Sequence, residues 1–210
     1  MTRRAAFLEA GEITLALLRH PDVAARWTQQ SALPGMTIGG LAHHLGVQVV
    51  SGHSASVDRA LRGVDSPVTL VEHYRRAAWV RADIDDEANL SIRTGAERSA
   101  GDGPGAVVSR VARALADLQP WPTDSLQSVQ MPWWHWSMTA DDFLLTRMME
   151  MMVHADDLAA SLGVETPVFP RTVARQVFTL LAAVAVDTHG QAAVLRALTR
   201  SERASSIVVF

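Results

Sequence analysis

TADDFLLTRMMEMMVHADDLAASLG, residues 139–163, sets a glutamate and a histidine one helical turn apart inside an otherwise oily segment. Thr139 with Asp142 three residues on is a capping-box-like start, and Gly163 suits the position just past a helix end, so one helix is expected between them. On that helix Arg147, Glu150, His154 and Asp157 stack along one narrow stripe. A lone polar stripe is ordinarily a solvated face. Here Leu145, Met148, Met149, Met152 and Val153 cover most of the remaining circumference, which fits a helix buried in a bundle with its stripe turned inward. Buried ionisable groups must be paired or coordinated, because an uncompensated buried charge is strongly destabilising. A divalent metal would supply the compensation.

A second polar seam lies upstream in TIGGLAHHLGVQVVSGHSASVDRALRG, residues 37–63, a helix that Thr37 can cap. His44, Gln48 and Ser51 share one stripe that continues to Ala55, whereas His43 points about a quarter-turn away and His53 lies off the stripe. His44 is therefore the better ligand of the adjacent pair. Taken singly it reads as an ordinary hydrogen-bonded histidine; the combination with Glu150 and His154 gives it weight.

The rest of the chain reads as scaffold. A helical pattern from Ala5 to Trp27 bends near His20-Pro21, and His20 is expected at the surface. Pro67 is expected to open a third helix that runs to about Asp86, with His73 at the surface or behind the ligands and Asp83, Asp85, Asp86 and Glu87 as its solvated end. Gly95–Ala106 reads as a mobile loop, after which Pro104 opens a fourth helix. Pro120, Pro122 and Pro132 keep residues 119–138 extended, and of the tryptophans there Trp134 and Trp136 are candidates to line a cavity beside the site. His135 is a weaker candidate ligand. Beyond Gly163 come a linker, a helix from Pro170 to Gly190, a short helix and an apolar tail, with Arg196, Arg200 and Arg203 read as solvated.

With 210 residues and 48% hydrophobic content, the chain suits one domain plus an appendage: a bundle over 1–165 and a helical extension over 166–210 packed on it. A net charge of −3 and scattered arginines leave no footprint for nucleic acid. No apolar run approaches the ~20 residues that span a bilayer, and the first residues lack a signal-peptide core, so a cytoplasmic, membrane-free protein is expected. The absence of cysteine excludes disulfides, zinc–thiolate sites and a protein thiol nucleophile. Any thiol chemistry needs a thiol from outside.

With these residues assembled, LPGMTIGGLAHHL (33–45) and RMMEMMVHADDLAASLG (147–163) resemble the two metal-binding motifs of the mycothiol-dependent maleylpyruvate isomerase family, DinB-like bundles grouped with mycothiol and bacillithiol transferases. The resemblance runs from near the N-terminus to Gly163. It implies an all-α, DinB-like four-helix bundle with His44, Glu150 and His154 as ligands. Met36 stands where the family usually has an aromatic and Asp156 where tryptophan is common, and the C-terminal part is too short for the isomerase's second domain, so its substrate does not carry over.

Two imidazoles and a carboxylate leave open positions on a divalent ion, as in catalytic zinc sites; zinc is expected ahead of nickel or iron. Asp157 and Arg147 would act from beside the ligands as catalytic residues. The expected function is a metal-dependent enzyme that activates a low-molecular-weight thiol such as mycothiol for S-transfer to, or isomerisation of, an electrophilic small molecule. Two alternatives stay open: a metal Lewis-acid hydrolase, lyase or cyclase without thiol, and a non-catalytic metal-binding module. Homodimerisation is compatible with either.

Overall fold

The computed structural model describes residues 2–63, 66–80, 82–83, 85–118 and 128–209. Its α-helices are α1 (Arg3–Leu18), α2 (Pro21–Ala25), α3 (Ile38–Val57), α4 (Leu70–Arg76), α5 (Glu87–Ala100), α6 (Pro104–Leu118), α7 (Ala140–Leu162), α8 (Arg171–His189) and α9 (Gln191–Thr199). Strands β1 (Ser128–Val129) and β2 (Met138–Thr139) form one short antiparallel pair with Val129 opposite Met138. The fold is all-α, as expected.

Helices α1, α3, α6 and α7 form the bundle, with α3 and α1 each packed against both α6 and α7. Phe7, Leu41, Leu45, Leu115, Met148, Met151 and Leu158 fill its centre and are almost wholly buried. Side chains of this size each contribute about 1.5–3 kcal/mol on burial. Gly52 lets α3 approach α1 closely, since a Cβ there would lie 2.2 Å from the buried Phe7 ring.

The decisive helix forms as its sequence dictates. The Thr139 hydroxyl accepts the Asp142 N–H at 3.0 Å, Asp141 and Asp142 complement the positive end of the dipole, and Gly163 closes the helix at φ 70°. Asp142 also pairs with Arg3, tying the start of α7 to that of α1. Phe143, Leu145, Met148, Met149 and Met151 are buried, but Val153 is 37% exposed and Met152 half-buried. The C-terminal half of α7 thus keeps a solvent edge that its composition does not announce.

Several expectations change. α3 ends at Val57 and a 3-10 turn follows, rather than continuing to Gly63. The third helix starts at Leu70, not Pro67: Thr69 accepts the Glu72 N–H at 3.2 Å, and α4 stops at Arg76 before a 3-10 turn over Ala78–Val80. The acidic run does not end that helix; Asp86 stands at the N-cap of α5 instead. Nor is Gly95–Ala106 one loop. α5 runs through Gly95 to Ala100, and only residues 101–103 separate it from α6. Tertiary bonds hold it there: Glu97 accepts the Thr37 N–H at 2.6 Å, capping the start of α3, and the Trp27 indole donates to the Ala100 carbonyl at 3.1 Å.

Residues 119–127, with Pro120, Trp121 and Pro122, lie outside the described residues, as does Phe210. α8 begins after Pro170 and ends at Gly190, and its Val173, Val177, Leu180 and Val184 join the same hydrophobic core as the bundle. Arg196, Arg200 and Arg203 are exposed, as expected. Among the described residues no helix is long and apolar enough to cross a membrane.

Candidate metal centre

Packing of α3 against α7 sets the two polar seams face to face. His44 Nε2 lies 3.9 Å and His154 Nε2 3.1 Å from the same oxygen, Oε2 of Glu150. One ligand atom from each of the three residues falls within 4.8 Å of the others. The His44 and His154 rings meet edge to face at 4.7 Å. Ligand atoms about 2.0–2.1 Å from one tetrahedral ion are themselves roughly 3.3 Å apart, so His154 and Glu150 already stand near that spacing and His44 would have to close in by roughly half an ångström or more to join them on zinc.

The charges in the centre are mutually dependent. Burial lowers the His44 pKa to about 4, with the neighbouring His154 acting in the same direction, so His44 is a neutral imidazole with a lone pair to give. Burial opposes ionisation of Glu150, but the hydrogen bond and charge of His154, with Arg147 and His44, outweigh it and hold the carboxyl below its usual range. Burial opposes protonation of His154 as well, and its bonds to Asp157 and Glu150 overcome that and raise it. Asp157 Oδ2 lies 3.0 Å from His154 Nδ1, which directs Nε2 toward Glu150 and His44.

Arg147 continues the stripe. Its Nη1 donates to Gln48 Oε1 at 2.7 Å, its Nε donates to the Thr146 hydroxyl at 3.2 Å, and its guanidinium sits 5.2 Å from the Phe143 ring centre. Gln48 in turn donates to the backbone carbonyl of His44 at 2.9 Å. From Phe143 an aromatic series leads outward: Trp134 is 6.0 Å away, and Trp136 lies parallel to Trp134 at 5.9 Å with 6° between their planes. Both tryptophans are half-buried, and Phe143 and Arg147 link them to the stripe that carries the candidate ligands.

The other histidines separate cleanly. His43 looks toward Arg110 and Asp102, and His53 lies 3.9 Å from Asp117. His20 is partly exposed and accepts the Asp22 N–H at the start of α2. His135 is exposed and outside the ligand cluster. His73 is 2% exposed, so of its two expected placements the one at the surface falls, and its Nδ1 accepts the Trp136 indole N–H at 3.1 Å. The Thr69-x-x-Glu72 capping pattern could have signalled the helix that carries it inward. A cavity of about 620 Å³ opens elsewhere, among Arg3, Val68, Leu70, Leu145, Arg175 and Leu180; none of the three ligand residues lines it.

The sequence matches the model of the mycothiol maleylpyruvate isomerase N-terminal domain family over residues 7–159. The chain belongs to that family. The match takes in both seams, from α1 through nearly all of α7. Among solved structures, the chain is similar to the mycothiol-dependent maleylpyruvate isomerase, at TM-score 0.53 and 17% identity, and to a histidine-to-alanine mutant of that enzyme, at 0.54 and 16%. Each alignment covers 88% of this chain and 68% of the other. At that identity the likeness is one of fold. No curated protein sequence matches the chain.

Proposed function

We propose that the chain is a metal-dependent enzyme that uses a low-molecular-weight thiol of the mycothiol type for S-transfer to, or isomerisation of, an electrophilic small molecule. The convergence of His44, Glu150 and His154 between α3 and α7, in a chain of the mycothiol maleylpyruvate isomerase N-terminal domain family, carries this reading. These three residues would hold the ion, zinc by the nature of its donors, with positions left for small ligands. A bound divalent ion supplies a lowered pKa for a coordinated thiol, and so a nucleophile at neutral pH.

The remaining work falls to this chain's own groups. Glu150 is ionised and His44 neutral without any adjustment by the ion. His154 gives up its Nε2 proton on binding and keeps Nδ1–H toward Asp157, which fixes the ring. Arg147, clamped by Gln48 and lying on Phe143, offers positive charge to an anionic portion of the substrate. Trp134 and Trp136, parallel at 5.9 Å beyond Phe143, would offer a flat apolar surface to a substrate. The absence of cysteine suits an enzyme whose thiol arrives as a cosubstrate.

Elemental analysis of the purified protein, followed by an electrophile screen with and without mycothiol or bacillithiol, tests the reading. Stoichiometric metal with thiol-dependent turnover is the expected result. Turnover that ignores thiol would replace it with Lewis-acid chemistry, and metal without any turnover would leave a binding module.

A further inference from the structure

We propose that the cavity of about 620 Å³ at the joint between the bundle and α8 is a second binding site, one that takes an amphipathic carboxylate with its chain among the apolar side chains and its headgroup on Arg175. Binding there depends neither on the metal nor on the thiol.

Four helices supply the wall. Its apolar part is Val68, Leu70 and Val71 at the start of α4, Leu145 of α7, and Leu180 and Ala183 of α8; α1 adds Arg3. Leu145 and Leu180 are each 3% exposed and belong to the main core, so the cavity reaches down to it. The volume falls within the ~300–1,000 Å³ usual for small-molecule sites, which often lie where two units meet. The family match ends at residue 159, so the whole α8 wall lies beyond it. The metal centre looks another way. Leu145 and Glu150 are five residues apart on α7, and at 3.6 residues per turn they project about 140° from each other.

The neutral polar groups along the wall are already engaged. The Thr69 and Thr139 hydroxyls accept the N–H groups of Glu72 and Asp142, the Gln176 amide donates to the Thr172 carbonyl at 2.9 Å, and the Thr179 hydroxyl donates to the Arg175 carbonyl at 2.7 Å. Arg3 and Asp142 neutralise each other. That leaves the Arg175 guanidinium, which forms no ion pair and no side-chain hydrogen bond among the described residues. Water satisfies any exposed arginine, but this one borders an apolar cavity whose other charges cancel. The complementary ligand is therefore an apolar body with one anionic end. A planar guanidinium meets a carboxylate through two parallel bonds, whereas a dianionic phosphate beside Asp142 calls for a second uncompensated cation.

Octanoate and octanol, which share a chain and differ in charge, test the site by methyl NMR on the full chain. Both should produce saturable shifts at Val71, Leu145 and Leu180. Arg175→Gln should weaken octanoate about tenfold, in keeping with the loss of one charge-assisted pair, and leave octanol unchanged. Ala183→Phe, at an exposed position, should fill the cavity and weaken both. Metal content should match wild type in each variant. The proposal is overturned by any of four results: no saturable shift up to the solubility limit of octanoate, shifts centred instead on the exposed Phe178 and Leu198, an equal effect of Arg175→Gln on octanoate and octanol, or octanoate binding that Ala183→Phe leaves intact. None of these readouts uses turnover, so failure of the proposed reaction and failure of this site are told apart.

Discussion

Gln48 on α3 accepts a 2.7 Å hydrogen bond from Arg147 on α7, while its amide nitrogen donates to the carbonyl of His44 on its own helix. One almost wholly buried side chain thereby couples the position of a cation to the helix that carries a candidate ligand. Gln48→Met keeps the volume and removes both bonds. Stability to urea is expected to fall by about 1.5–3 kcal/mol, the usual range for a bond to a charged group, while metal content stays at wild-type level. Unfolding curves and elemental analysis on one preparation check this; lost metal would mean that Gln48 sets His44 itself.

His154→Ala is expected to abolish stoichiometric metal binding. Glu150 and His44, 3.9 Å apart, remain, and two protein ligands seldom hold zinc against water. Equilibrium dialysis against zinc gives the answer, and retained metal would show that the ligands lie elsewhere.

Asp157 touches His154 at 3.0 Å on the nitrogen turned away from Glu150. Asp157→Asn should therefore keep most of the metal while thiol-dependent turnover drops ~10–100-fold, the common effect of losing a group that orients a ligand. If Asp157 serves stability alone, the thermal midpoint falls instead and turnover per metal-loaded molecule stays near wild type.

Acid should destabilise the metal-free protein well above the carboxylate range. His44 and His73 titrate near 4 in the folded chain against 6.5 when free, so unfolded molecules take up protons first as the pH drops. Their contribution is complete above 6.5 and is lost between 6.5 and 4. Glu150 is shifted down, so its contribution is lost only as the pH falls through still lower values; His154 is shifted up, so its contribution is lost on the alkaline side. Each histidine adds a limiting slope of about 1.4 kcal/mol per pH unit. His73→Phe should reduce the acid slope by one such increment in chemical denaturation at stepped pH, and an unchanged slope would mean that His73 does not titrate this way.

Local chemistry made α7 readable before any coordinates. Thr139, Gly163 and the three-four-three spacing from Arg147 to Asp157 are all short-range signals, and each appears in place. α5 was not readable, because Gly95 and the small polar residues around it argue for a loop. What holds them helical is Glu97 on the start of α3 and Ala100 under Trp27, contacts between segments distant in sequence. The start of α4 was legible in principle, since Thr69 and Glu72 form a capping pattern that Pro67 obscures. The burial of His73 was not, because it depends on where the Trp134–Trp136 segment folds back.

Two of the three candidate ligand residues sit one turn apart on α7, and the third lies on the order of a hundred residues earlier, on α3. An unfolded chain can therefore meet an ion with Glu150 and His154 alone, a pair whose spacing favours the helical turn between them and helps to nucleate α7. His44 can join only after α3 and α7 have docked. Tight chelation at the proposed centre would thus come late in folding, and a metal that binds the completed site should slow unfolding far more than it speeds folding.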